Sequence, residues 1–193
     1  MRIIAGVYRG RQLASARDKS IRPTTDRAKQ TIFDILSARM SWDGVRVLDL
    51  FSGTGSLGLE AISRGASLAT FVENARSSLD VLEHNIRSLG CDDQCTAYQA
   101  DVFWYLKTAR QVFDVIFADP PYRLERIGEI PLRIHESSAS RHGSWVVMEH
   151  SRESAVELRE SDYEIIRKPF GQTTVLILRT VKPAAATDER TRP

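Results

Sequence analysis

The amino-acid sequence predicts an α/β fold with a mainly parallel β-sheet that is completed by a C-terminal antiparallel hairpin. Between residues 45 and 148, short apolar runs alternate with segments of helical periodicity, and this alternation requires right-handed crossovers between parallel strands. The first apolar run leads into the glycine-rich turn GTG at residues 53–55. Two later strand-like runs, 163–168 and 173–178, are separated by a short PFGQ segment, which favours a hairpin. The 193 residues suffice for one domain with a substantial core.

The N-terminal segment precedes this core and differs from it in character. Residues 2–13 contain β-branched and aromatic residues interrupted by two glycines, which predicts a short hairpin or an extended arm. Thr24 or Thr25 is placed to cap a helix that continues to about Met40. Apolar residues recur at helical spacing within it, at Ala28, Ile32, Ile35 and Leu36.

The remaining elements follow from apolar runs and from their glycine stops. Strands are predicted at residues 45–50, 68–72, 95–99, 112–118 and 144–148, and helices at 57–64, 79–89 and 102–109. Gly65 and Gly90 end the first two of these helices. We therefore divide the chain into a basic arm (1–24), a main α/β domain (25–180) and a tail (181–193) whose Ala-, Pro- and charge-rich composition predicts disorder.

Composition excludes several classes of function. No apolar run approaches the roughly 20 residues of a membrane span, and the first residues lack the apolar region of a secretory signal, so we expect a cytoplasmic protein. Cys91 and Cys95 have no second Cys or His pair at zinc-like spacing. We expect reduced structural thiols and no metal.

Positive charge is concentrated at the N-terminus. Residues 1–29 carry eight Lys or Arg against two Asp, whereas the rest of the chain carries 19 basic against 23 acidic side chains. Such an arm suits a polyanion, because each cation that meets a phosphate releases condensed counterions. A solvated charged segment with no partner is the alternative.

The glycine-rich turn is the first candidate binding site. Residues 49–58 read DLFSGTGSLG, and glycines after the first strand let the backbone approach a ligand beyond the strand ends. The same spacing fits a dinucleotide, and Glu73 stands where a ribose-binding acid is expected. Asp49 favours the cationic methionine end of S-adenosylmethionine, because a carboxylate repels a pyrophosphate.

Two acids after the next strands complete the predicted cofactor site. Glu73 can accept hydrogen bonds from ribose hydroxyls, and Asp101 can bind the adenine amino group, although either could be a solvated loop carboxylate. The full set of predicted cofactor-binding residues is Asp49, Phe51, Ser52, Gly53, Gly55, Glu73, Asn74, Asp101 and Val102.

Residues 119–122, DPPY, form the candidate catalytic motif at the end of the fourth strand. Two prolines fix the backbone and present carbonyl oxygens, while Asp119 adds a carboxylate acceptor. These acceptors suit an amino group that receives a methyl group by in-line displacement. Tyr122 offers a ring on which a base can stack. We predict Asp119, Pro120, Pro121 and Tyr122 as catalytic; a purely structural strand-end turn is the alternative.

These motifs together resemble the bacterial 16S ribosomal RNA guanine-N2 methyltransferases over about residues 1–180. The resemblance rests on RIIAG at 2–6, RPT at 22–24, DLFSGTG at 49–55, LGLEA at 57–61, SRGA at 63–66 and DPPY at 119–122. It implies a seven-stranded, Rossmann-like class I S-adenosylmethionine-dependent methyltransferase fold. Ser52, Thr54 and Gln30 depart from the expected Ala, Ser and Glu, and only Gln30 leaves the role of the usual acid in doubt.

The resemblance also implies an RNA partner. The expected substrate is 16S rRNA in an assembling small ribosomal subunit, bound by a monomer. The residues predicted to face RNA are Arg2, Arg9, Arg11, Arg22, Thr24 and Lys29.

Three other functions remain open at the level of sequence. A DNA amino-methyltransferase acting on adenine or cytosine would need the same Asp119 and Tyr122, but it normally carries a large target-recognition segment that this chain lacks. A noncatalytic RNA-binding module could retain the cofactor pocket. A NAD oxidoreductase would need a hydride-transfer site that does not accompany the glycines.

Overall fold

The computed structural model describes residues 1–15 and 26–182, and the part of the chain that it describes forms a seven-stranded sheet with helices on both faces. The predicted Arg22, Thr24 and Thr25, and the tail from residue 183, lie outside the described residues. The elements in chain order are α1 Asp26–Ser37, β1 Arg46–Leu50, α2 Ser56–Ser63, β2 Leu68–Glu73, α3 Arg76–Leu89, β3 Cys95–Gln99, α4 Val102–Thr108, β4 Val115–Ala118, α5 Ile130–Glu136, β5 Trp145–Ser151, β6 Tyr163–Phe170 and β7 Thr173–Thr180.

The strand order is β3-β2-β1-β4-β5-β7-β6; β7 is antiparallel to both of its neighbours, β5 and β6, and the other neighbouring strands are parallel. The predicted fold class is therefore confirmed. Because β2 and β4 lie on opposite sides of β1, the strand order reverses at β1 and β4, where parallel α/β sheets open a crevice for ligands.

Each face of the sheet has its own hydrophobic core, because successive side chains of a strand point to opposite faces. On the first face, Val47, Phe71, Phe117 and Val147 meet apolar residues of α1, α2 and α3. On the second face, Leu48, Ile116, Val146 and others meet α4 and α5. The N-terminal segment belongs to the first face, where Ile3 and Leu13 are buried.

The predicted N-terminal hairpin is present in a minimal form. Arg2 and Gln12 form a single antiparallel bridge, and Ile3 exchanges backbone hydrogen bonds with Gly10 and Arg11. We call residues 1–15 the N-terminal hairpin. It packs directly on α2: the amide of Val7 donates to the carbonyl of Ser63 at 2.8 Å.

Several element boundaries differ from the predictions. Strand β3 matches, and Gly90 caps α3 with a φ of 72°, as predicted. Strand β4 begins at Val115 rather than residue 112; before it, the amide of Phe113 donates to the carbonyl of Ala139, which lies outside the sheet. Helix α5 was not predicted, although Ile127, Ile130 and Ile134 recur at helical spacing.

The C-terminal strands are longer than predicted. Strand β5 continues to Ser151 rather than ending at residue 148, because β7 pairs with it along its whole length. Pro169 belongs to β6 rather than to the turn, which is tolerated because β6 is an edge strand. In the described residues, no helix is long and apolar enough to span a bilayer.

Candidate active site

The carboxyl ends of β1, β2 and β4 bring the predicted cofactor and catalytic motifs to one edge of the sheet. Asp49 is in register with Phe71 on β2 and Phe117 on β4. Two residues further along these strands, Glu73 and Asp119 therefore occupy the next level on the same face. Strand β1 ends at Leu50, and the glycine-rich turn begins at the next residue, Phe51.

The glycine-rich turn has a backbone that suits a ligand-binding loop. Phe51 adopts a positive φ of 56°, which is rare for a residue with a large side chain and is typical of constrained functional sites. Gly55, with a φ of 83°, starts α2, and a Cβ atom there would lie 2.4 Å from Leu82 Cδ1. Among the described residues, the buried Ser52 hydroxyl is one of the few side-chain groups with no hydrogen-bond partner. A ligand in this turn could satisfy it.

Glu73 shapes the turn directly. Its Oε2 accepts from the amide of Gly53 at 2.9 Å, and its Oε1 accepts from the amide of Ala75 at 2.7 Å. The carboxylate is half-buried. Glu73 therefore fixes the position of the glycine-rich turn. Ribose hydroxyls would donate further hydrogen bonds to carboxylate oxygens that already accept from two backbone amides.

Asp49 lies beneath the turn and is almost completely buried. Its Oδ2 accepts from the amide of Gly58 at 2.9 Å. The amide of Gly58 can come this close to Asp49 because glycine has no side chain. A Cβ atom at position 58 would lie 2.3 Å from the Phe71 ring. Burial raises the pKa of Asp49 well above its usual range, and the nearby Asp119 and Glu73 carboxylates raise it further. Three acids thus converge on one crevice, which favours a cationic ligand.

The third predicted acid has a structural role of its own. Asp101 is exposed and caps α4, with Oδ1 accepting from the amide of Trp104 at 2.9 Å. Val102 is buried and Asn74 is exposed. The sequence did not predict one contact of α4: the Arg126 guanidinium stacks 4.0 Å from the centroid of the Phe103 ring.

The DPPY segment follows β4 at the same edge. Asp119 is half-buried and Pro120 is buried, whereas Pro121 and Tyr122 are exposed. The Tyr122 hydroxyl donates to Glu149 Oε1 at 3.4 Å. Glu149 was missed because the sequence pattern ended its strand at residue 148.

The structure separates the predicted RNA-facing residues into two groups. Arg9 and Arg11 are exposed, and Arg11 also donates to the carbonyl of Ser88 at 2.6 Å. Arg2 is exposed and pairs with Asp26 at 3.0 Å. Lys29, in contrast, is only 1% exposed, so the prediction that it contacts RNA is wrong for this structure.

The buried Lys29 belongs to a polar cluster that joins the N-terminal hairpin to α1 and α2. Its ammonium group lies 3.5 Å from Glu60 and donates to the carbonyl of Arg2 and to the Ser56 hydroxyl. Glu60, which is fully buried, also binds Arg64 at 2.8 Å. Burial lowers the pKa of Lys29, while Glu60 opposes that shift.

The Glu60 carboxylate also holds the main chain of the hairpin. It accepts from the amides of Ile4 at 2.7 Å and Ala5 at 3.0 Å. The sequence contained a signal for this cluster: Lys29 lies on the same helical stripe as the buried Phe33 and Leu36. A charged residue on such a stripe needs a buried partner.

Cys91 and Cys95 are free thiols with their Sγ atoms 3.8 Å apart. Within residues 1–15 and 26–182, no three His, Cys, Asp or Glu side chains are grouped so that they could hold a metal ion.

Comparison with known proteins places these motifs in a family context. Residues 1–179 match the family described as Conserved hypothetical protein 95. The Bacillus subtilis protein YlbH, provisionally named an rRNA methyltransferase, is 34% identical over 185 residues, covering 93% of this chain and 98% of that protein. The ribosomal RNA small subunit methyltransferase D of Haemophilus influenzae is 38% identical over 125 residues, covering 63% of this chain and 64% of that protein.

A solved structure shows the same architecture. The Escherichia coli protein YhhF, provisionally named a methyltransferase, superposes with a TM-score of 0.80 at 28% identity, covering 94% of this chain and 99% of that one.

Proposed function

Because the chain belongs to the family described as Conserved hypothetical protein 95, with rRNA methyltransferases among its relatives, we propose that it methylates the exocyclic N2 amino group of a guanine in 16S rRNA. The chain is an rRNA methyltransferase with a class I fold, and S-adenosylmethionine is its methyl donor. The position of Asp119 beside the glycine-rich turn carries the proposal of amino-group chemistry.

The residues at the sheet edge fit S-adenosylmethionine. The buried, unpartnered Ser52 hydroxyl and the Glu73-fixed turn provide polar groups at the crevice. Asp49, Glu73 and Asp119 lower the electrostatic potential there, which favours the sulfonium and ammonium charges of the methionine end. When bound, S-adenosylmethionine supplies an electrophilic methyl group on a good leaving group.

The chain's own residues then supply alignment and charge. Asp119 and the carbonyl of Pro120 accept hydrogen bonds from the two N–H groups of the amine, which directs the nitrogen toward the methyl carbon. Asp119 also stabilises the positive charge that develops on the nitrogen and accepts the proton that is released. Tyr122, which is 44% exposed, stacks on the base.

The proposed substrate is 16S rRNA in an assembling small subunit, reached by a cytoplasmic monomer. The exposed Arg9 and Arg11 of the N-terminal hairpin support phosphate contacts on the surface near the C-terminal end of α3, where Arg11 donates to the carbonyl of Ser88. Arg22 and Thr24 are retained as proposed RNA contacts on the basis of the sequence alone.

The test is mass spectrometry of nucleosides from 30S particles treated with enzyme and isotopically labelled S-adenosylmethionine. Wild-type enzyme should produce labelled N2-methylguanosine, whereas the Asp119→Ala variant should lose activity by at least roughly 100-fold while retaining cofactor binding by calorimetry. Duplex DNA serves as the alternative substrate. Label in DNA alone would instead support a DNA amino-methyltransferase, and binding of cofactor and rRNA without turnover would support a noncatalytic module.

A further inference from the structure

Glu149 lies beside the DPPY segment because β5 extends past the end of β4. Met148 is in register with Ala118, the last residue of β4, so Glu149 stands next to Asp119 on the neighbouring strand. Glu149 also pairs with Val175 on β7. The backbone of Glu149 is therefore held between two strands rather than on a loop.

The side chain of Glu149 belongs to the same face as the other site acids. Its neighbours Met148 and His150 alternate with it, and Met148 lies in the core of the opposite face together with Ala118. Val147 and Val175 lie in the core of the first face, with Phe71 and Phe117. By this alternation, Glu149 and Asp119 project at one level toward the crevice.

Tyr122 fixes the position of the Glu149 carboxylate relative to the proposed base. The hydroxyl at the far end of the Tyr122 ring donates to Glu149 Oε1 at 3.4 Å. A base stacked on this ring would therefore place its amino group near Asp119 and Pro120. The ring atom next to the amino group would lie near Glu149. Glu149 is half-buried, so its charge is only partly screened by solvent.

The three amino-bearing bases differ at the ring position next to the amine. In guanine, the carbon that carries N2 lies between N1, which has a hydrogen and donates, and N3, which has a lone pair; only guanine among the three bases offers an N–H beside its amino group, and the proposed orientation turns that side toward Glu149. In adenine and cytosine, the ring nitrogen beside the amino group has a lone pair and accepts. A carboxylate, which only accepts, attracts the first arrangement and repels the other two.

We propose that Glu149 selects guanine by accepting a hydrogen bond from N1–H while Asp119 holds the N2 amino group. This inference rests on the proposed guanine-N2 reaction and adds the residue that reads the base. It also disfavours the adenine and cytosine substrates of the rival DNA function, since either base would place a lone pair against the Glu149 carboxylate.

The experiment replaces the target guanine with 2-aminopurine, which keeps the N2 amino group but has a lone pair at N1. The target is first mapped with wild-type enzyme, and 30S particles are then reconstituted with either base at that position. Wild-type kcat/KM for guanine should exceed that for 2-aminopurine by roughly 100-fold or more, as expected when a site built to bind an N–H meets a base without it.

The Glu149→Gln variant carries an amide that can donate to N1, so its preference for guanine should fall at least tenfold. Glu164→Gln is the matched control, because Glu164 is exposed on β6 and is aligned through Arg179 with Trp145, at the opposite end of the sheet. It should keep the wild-type preference. Tyr122→Phe should lower the preference less than Glu149→Gln does, because it removes the hydroxyl that positions the carboxylate but keeps the carboxylate itself.

Two results would overturn the proposal while leaving the guanine-N2 reaction intact. One is equal methylation of guanine and 2-aminopurine by wild-type enzyme, a measurement that does not depend on any variant folding. The other is an unchanged preference in Glu149→Gln that still forms N2-methylguanosine. Absence of N2-methylguanosine with wild-type enzyme would reject the proposed reaction itself, and the role of Glu149 with it.

Discussion

Asp49 is held out of solvent beside two other acids, so its ionised form costs folding free energy unless a cation lies next to it. Burial and the Glu73 and Asp119 carboxylates raise the pKa of Asp49 above the value of an exposed aspartate. A raised folded-state pKa stabilises the protein below the unfolded-state pKa of about 3.9. That contribution disappears as the pH rises through the folded-state pKa. The carboxylate that we propose to bind the cationic end of the cofactor therefore destabilises the unliganded protein at neutral pH.

Asp49→Asn should separate these two effects. The amide oxygen can still accept from the amide of Gly58, so the unliganded variant should be at least as stable as wild type at pH 7 by urea unfolding. Its affinity for S-adenosylmethionine should fall at least tenfold, or about 1.4 kcal/mol, in titration calorimetry. As the pH falls, wild-type affinity should decrease when Asp49 becomes protonated, whereas the affinity of the variant, which lacks this carboxylate, should depend less on pH.

The exposed Asp43, near the amino end of β1, provides the control for this charge change. Asp43→Asn should leave both stability and cofactor affinity close to those of wild type. If Asp49→Asn bound the cofactor as tightly as Asp43→Asn does, the buried carboxylate would have no part in recognising the cationic end.

The sequence predicted where the short motifs lie in the fold, but it did not predict the environment of residues whose partners are far along the chain. The motifs at residues 49–58 and 119–122 do meet at one sheet edge, as the fold predicts. Lys29 was misassigned because its partner, Glu60, lies 31 positions away in sequence. Glu149 was missed because its position depends on pairing with β7, which no local pattern reports.

At the scale of elements, the N-terminal hairpin and α2 are joined by the buried cluster around Glu60. Helix α2 also begins directly after the glycine-rich turn. The Lys29 ammonium donates to the hydroxyl of Ser56, the first residue of α2. The cluster therefore links the basic hairpin to the cofactor loop through a single short helix. The sequence predicted the hairpin from its β-branched and aromatic residues and its glycines, and α2 from its apolar pattern, but only the packed structure reveals the contact between them.

Lys29→Met should destabilise the protein by about 3 kcal/mol in urea unfolding. Removing one partner of a buried ion pair typically costs about 3–5 kcal/mol, and Arg64 remains to pair with Glu60, which favours the lower value. Lys107→Met provides the control, since Lys107 is exposed on α4 and its replacement should cost less than about 0.5 kcal/mol. Equal stability of the two variants would mean that the buried pair does not support this junction.

At the scale of the whole molecule, the binding features gather on one side of the sheet. The N-terminal hairpin packs against α2 and contacts α3, on the face that also presents Asp49, Asp119 and Glu149 at its carboxyl edge. Strands β7 and β6 form one lateral side of the sheet, and β3 is the outermost strand on the other side. RNA bound at Arg9 and Arg11 would lie on the same face of the sheet as the proposed catalytic residues, near the C-terminal ends of α2 and α3, and would have to extend along that face to reach them.

This arrangement predicts a specific salt dependence for RNA binding. Replacing Arg9, Arg11 and Arg22 with Ala should weaken binding to 30S particles and reduce the slope of log K against log salt by about 0.7–0.9 for each phosphate that is no longer neutralised. Cofactor affinity should not change.

The control is a triple variant at β6 and the loop before it, with Arg159, Arg167 and Lys168 replaced by Ala. It removes the same charge from the side of the sheet that ends in β6, and it should keep the wild-type slope. Filter-binding titrations between about 50 and 200 mM salt give both slopes, with the range chosen because phosphate contacts dominate affinity there. If the two triple variants changed the slope equally, only net charge would matter, and the N-terminal hairpin would not be the RNA-binding surface.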